Sequence, residues 1–135
     1  MRRLLLATLT CLCTAVPAVI AGGTAHAAAT NPSPSCAASY QTVNEAQAGF
    51  VSQVSVTNTG SSAVNGWSVT FTFGGHQVVT ASWNATVQQS GAVLTAVNAS
   101  WDGTIPVGGS IYGFGLYGTW WGSDAPPASL TCVAS

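Results

Sequence analysis

Phe50-Val51-Ser52-Gln53-Val54-Ser55-Val56-Thr57 is the stretch that decides the fold. Phe50, Val54 and Val56 fall on one side of an extended chain, and Gln53, Ser55 and Thr57 on the other. That is the period-two pattern of a strand with one face in a core. Asn58-Thr59-Gly60-Ser61-Ser62 follows with the residue types that turn a chain. The pattern then recurs: Trp67, Val69, Phe71 and Phe73 alternate with Ser68, Thr70 and Thr72, and Gly74-Gly75 turns again. Further strands are expected over Gln77–Trp83, Val93–Asn98 and Ser110–Leu116, with a last short one near Leu130–Val133. No stretch keeps a helical period. Short strands separated by Gly/Asn/Ser turns predict an all-β fold, an antiparallel β-sandwich of immunoglobulin-like or jelly-roll-like type. The longest irregular stretch is expected over 118–127, and it carries Trp120 and Trp121.

Outward from this core, residues 1–29 read as a secretory signal peptide. Arg2 and Arg3 precede an apolar run from Leu4 to Ile20, and small residues with A-x-A options follow, up to Ala29. Residues 30–35 form a short polar leader, and 36–135 the domain. Of four cysteines, Cys11 and Cys13 lie in the signal, which leaves Cys36 and Cys132 near the two ends of the domain. In an oxidising compartment these pair as one disulfide clamping the termini. The expected location is therefore extracellular.

Composition narrows the function. The only lysine or arginine residues are Arg2 and Arg3; the domain keeps Glu45, Asp102, Asp124 and His76, and all five tryptophans. Without a basic footprint, neither nucleic acid nor a membrane is an expected partner. Two cysteines and one histidine do not make a metal cage, and no cofactor is expected. A chain poor in titratable groups and rich in indoles suits a neutral ligand held by flat apolar faces.

The indoles divide by context. Trp67 opens the clearest alternating strand in phase with Phe71 and Phe73, and reads as core. Trp83 and Trp101 are each followed by a polar residue, Asn84 and Asp102, at a strand end and in a turn, and read as exposed. From Cys36 to Cys132 the ordered segments Gly49-Phe50, Val56-Thr57-Asn58-Thr59-Gly60, Asn65-Gly66-Trp67-Ser68-Val69, Trp83-Asn84, Gln89-Ser90-Gly91, Asn98-Ala99-Ser100-Trp101-Asp102-Gly103-Thr104-Ile105-Pro106, Gly108-Gly109-Ser110 and Gly113-Phe114 resemble a family 2 carbohydrate-binding module, the bacterial cellulose-binding type. The resemblance implies a β-sandwich whose surface tryptophans stack on sugar rings, with Trp83 and Trp101 at two of those positions and Trp67 buried. It implies a non-catalytic module that binds insoluble polysaccharide, cellulose first and chitin next; such modules normally anchor a catalytic domain, and here a stand-alone monomer is expected. Each stack buries on the order of 100 Å² of apolar surface, about 2–3 kcal/mol before ordering and desolvation take back much of it.

Departures from the pattern mark the chain's own character. The family's third surface tryptophan falls at Ala46, and Gly115 stands where a polar residue often follows Gly-Phe. Tyr117, Trp120 and Trp121 are additions that offer a replacement platform, while Asn44, Gln53, Asn84, Asn98 and Asp102 are candidates to hydrogen-bond sugar hydroxyls. Three other readings compete. A secreted interaction protein would use the same aromatics against a protein partner. A glycosidase would need two carboxylates flanking a bond, and Glu45, Asp102 and Asp124 are expected in three separate loops. A copper oxygenase would need His26 as the new N-terminus with His76 as second ligand.

Overall fold

The computed structural model describes residues 31–135; the expected signal peptide lies outside the described residues. Eight strands follow one another: β1 Cys36–Ala46, β2 Gly49–Asn58, β3 Trp67–Thr72, β4 His76–Trp83, β5 Ala85–Ser90, β6 Val93–Asn98, β7 Ser110–Trp121 and β8 Leu130–Ala134. They form two four-stranded antiparallel sheets, in the orders β1-β2-β7-β4 and β5-β6-β3-β8. This is the sandwich that the alternation predicts.

The inward sets of the two sheets meet in one core. Phe50, Val54 and Val56 of β2 face Trp67, Val69 and Phe71 of β3, with Leu94, Ile105, Phe114 and Leu116 between them. Trp67 is only 2% exposed. It stacks on Phe114 with ring centroids 5.8 Å apart, while Phe71 and Phe73 meet edge-to-face at 5.2 Å. Offset and edge-on pairs of this kind add to the area term.

Each side of the sandwich joins an edge strand of one sheet to an edge strand of the other. At β1 and β8 the Cys36–Cys132 disulfide makes the join, with Cα atoms 5.6 Å apart. At β4 and β5 the Gln89 side chain does it. Its Oε1 accepts from Val79 N at 2.8 Å and its Nε2 donates to Gln77 O at 2.8 Å. The amide thus satisfies main-chain groups that an edge strand leaves unpaired.

Four segments differ from the sequence expectation, the first being Cys36–Ala46, a strand where none was expected, with Glu45 in it and not in a loop. β7 runs on to Trp121, so the tryptophan pair is in a strand and not in a loop. The expected leader is laid along the turn after β2: Thr59 N donates to Ser35 O at 2.9 Å and Ser61 N to Ser33 O at 3.1 Å. Hydrogen bonding recruits it because that turn has donors to spare. The β5 strand (Ala85–Ser90) was not expected, since its residues Ala-Thr-Val-Gln-Gln-Ser carry little apolar signal.

The β1–β2 hairpin turns on Gln47 and Ala48, with φ of 46° and 64°. A two-residue loop with both residues left-handed matches the twist of the strands but favours Asn or Gly. Ala48→Gly is expected to raise stability by about 1 kcal/mol, read as a higher urea midpoint at unchanged slope. A midpoint that stays or falls means the alanine costs nothing there.

Candidate functional site

The aromatic residues exposed on the sheets lie on one side. In β7 a bulge at Gly113 resets the alternation. Beyond it Phe114, Leu116, Gly118 and Trp120 face inward, and Gly115, Tyr117, Thr119 and Trp121 outward. Tyr112, before the bulge, is also exposed. Cross-strand pairing places Trp83 opposite Gly115, Ala81 opposite Tyr117 and His76 opposite Trp121 on β4. On the other flank Gln53 pairs with Gly115, and Gln41 with Gln53. The outer face of the second sheet presents Ser68, Thr70, Thr95, Thr131, Val97 and Val133 instead. The sandwich has an aromatic face and a threonine–valine face.

Trp83 is 43% exposed. A Cβ built on Gly115 would overlap Cζ2 and Cε2 of its indole. The ring therefore lies down on the Gly115 backbone, one face on the sheet and the other open. Gly115 does not have a positive φ, so the indole, and not the main chain, is what requires glycine there.

Trp101 is 74% exposed at the apex of a fixed turn. The turn closes with Asp102 N on Ala99 O at 3.4 Å. Asn98 Oδ1 accepts from Trp67 N at 2.9 Å, and Asp102 O accepts from the buried Trp67 Nε1 at 2.9 Å. The turn is thus hung from the core tryptophan. Ala85 pairs with Asn98, which brings the chain just after Trp83 beside the chain just before Trp101. The two indoles belong to one corner.

Other expectations are corrected in part. Both Asp102 carboxylate oxygens are shut off from solvent without a hydrogen bond. The side chain is folded under its own turn and shapes it; it does not face outward to accept from a hydroxyl. Asn84 is exposed, with φ 62°: it makes the corner between the sheets, a left-handed position that asparagine tolerates. Trp120 is half-buried against the core and its Nε1 makes no hydrogen bond, so it is not on the platform; strand alternation sends neighbours to opposite faces. Its neighbour Trp121 is 64% exposed. Tyr117 and Asn44 are exposed and line a hollow of about 230 Å³ with Ala46 and Gly49. Sequence reasoning missed Tyr112, whose outward direction depends on the bulge.

Two of the three carboxylates are not in separate places. The β1 end and the segment after β7 come together, and the neighbouring Asp124 carboxyl, through a shared hydrogen bond, pushes Glu45 above the ordinary carboxylate range. Burial also raises the Asp102 pKa. A carboxyl with a raised folded-state pKa contributes stability that is complete below about pH 4 and is lost as pH rises through the folded value. No lysine or arginine stands in the domain to lose a partner on acidification. Thermal melts are expected to give a higher Tm at pH 4 than at pH 7, with a smaller difference in Asp102→Asn. A Tm that falls on acidification overturns this.

The molecule is thus a β-sandwich with its exposed sheet aromatics gathered on one face and no lysine or arginine in the domain. Residues 36–134 match the family described as the cellulose binding domain, and the chain belongs to that family, the family 2 carbohydrate-binding modules. It is 43% identical over 100 residues to Endoglucanase A of Thermobispora bispora, covering 74% of this chain and 21% of the relative. The chain thus spans about a fifth of that enzyme's length. Among solved structures it resembles the cellulose-binding family 2 domain of ScLPMO10C, with 34% identity and a TM-score of 0.61 over 76% of this chain and 99% of that one. The chitin-binding domain of Chi18aC from Streptomyces coelicolor gives 34% identity and a TM-score of 0.58, over 73% and 90%.

Proposed function

We propose that this chain is an extracellular, non-catalytic module that binds insoluble polysaccharide, with cellulose the first ligand and chitin the next. Trp83 and Trp101 stack on successive sugar rings, and Gln53 and Asn44 lie on the same face for the hydroxyls. The observation that carries this is the segregation of exposed sheet aromatics to one face, with Trp83 laid flat on Gly115. An indole held open on one side offers the apolar surface that the axial C–H groups of a pyranose match. The relatives support the ligand class: one is an endoglucanase and two solved domains bind cellulose or chitin. Export rests on the Arg2-Arg3 start and the apolar run behind it.

The test is co-sedimentation with microcrystalline cellulose and with chitin, beside a Trp83→Ala/Trp101→Ala double variant. The wild type is expected to sediment and the folded variant to stay in solution, in 50 mM and 500 mM salt alike, both chosen to bracket roughly the physiological Debye length. Sedimentation of the double variant, or a wild type released by salt, contradicts stacking at these residues.

A further inference from the structure

We propose that Trp121, clamped by His76, and Tyr117 form a second sugar-stacking subsite, placed along β7 from Trp83, that engages a neutral polysaccharide chain running on from the first. This rests on the polysaccharide reading above and extends the ligand's path.

The placement follows from strand alternation. Positions 115, 117, 119 and 121 all point outward from β7. From the seat of Trp83 at Gly115 to Trp121 is a straight run of about 20 Å at strand rise. Tyr117 stands between them, exposed, beside the hollow it lines with Asn44 and Ala46. A ligand lying along the strand passes over all three rings.

The state of Trp121 is what packing does not explain. Its neighbour Trp120 already fills the inward position. Trp121 remains 64% exposed, yet it is not loose: the His76 imidazole lies parallel to it, with centroids 3.8 Å apart and planes 20° apart. His76 is itself fixed, its N donating to Ser123 O at 2.8 Å. A large exposed ring already immobilised gives up little further freedom on binding. Beside the pair lies a hollow of about 270 Å³, bordered by Gly75, Val78 and Trp121.

Charge sets the ligand class. Glu45 and Asp124 sit together at this end of the sandwich, and the domain has no lysine or arginine to oppose them. Uronic or sulfated glycans are repelled, and neutral chains are accepted.

The experiment titrates the full chain with cellotriose and cellohexaose, following the tryptophan Nε1–H resonances and affinity, for wild type, Trp121→Ala and Trp121→Tyr. Cellohexaose is expected to shift the Trp121 indole as well as Trp83. Trp121→Ala should weaken cellohexaose binding about fivefold to tenfold while leaving cellotriose unchanged, and Trp121→Tyr should recover part of the loss. If cellohexaose moves Trp83 and not Trp121, or the folded alanine variant binds it like wild type, the second subsite is overturned and the first stands. If the wild type binds neither sugar and does not sediment with cellulose or chitin, the polysaccharide reading fails and takes the subsite with it.

Discussion

Gly115→Val, whose branched Cβ cannot slip past the indole, is expected to cost most of the binding to insoluble polysaccharide while leaving the fold in place. The Cβ it introduces occupies the space of Cζ2 and Cε2 of the Trp83 indole. Those atoms belong to a rigid bicycle, so the whole ring has to lift from the sheet. Trp83 is at the end of β4 and 43% exposed, so it swings into solvent and the core does not have to move. The stability cost is that of overfilling a surface contact, about 1–3 kcal/mol at most. The binding cost is a whole stack, about tenfold or more in affinity. A double-mutant cycle separates this from general damage. In a Trp83→Ala background the valine should cost almost nothing further in binding, because the ring it displaces is gone. Additive losses would falsify the idea that Gly115 acts through Trp83.

Removing the disulfide should have the largest effect on stability. Cys36 opens β1, an edge strand of the aromatic sheet, and Cys132 lies in β8, an edge strand of the other. The bond spans 96 residues of sequence. Closing a loop of that size is worth about 4–5 kcal/mol by its effect on the unfolded chain. Cys36→Ala/Cys132→Ala is therefore expected to lower Tm by on the order of 20 °C for a domain of this length. Binding at low temperature should persist, since Trp83 and Trp101 are seated on β7 and on Trp67 and not on the bond. A loss of only a few degrees would mean that the β1–β8 contact holds without it.

Much of this protein follows from its sequence. The alternation in 50–57 and 67–73 specifies half-buried strands, since a period of two leaves only one face for apolar side chains. The leftover pair of cysteines specifies the staple, and the lack of lysine and arginine in the domain takes away the basic footprint that phosphate backbones and anionic surfaces need. Trp67 is assigned to the core by its phase with Phe71 and Phe73 alone.

The exposed tryptophans were recognisable as exposed, but their surroundings were not. The fate of Trp120 and Trp121 depended on β7 continuing as a strand, which needed β4 to pair with it. The outward turn of Tyr112 depended on a bulge that exists only against β2. Asp102 looked like a ligand contact, and it became a support because its turn folds back to meet the Trp67 indole. The role of Gly115 was the least legible: a glycine in a strand has no local signal for the ring that will lie on it. Local pattern determined which residues face out, because direction along a strand is set by adjacent bonds. Only the tertiary structure decided which outward residues meet, because register, bulges and crossings between sheets arise from partners distant in the chain.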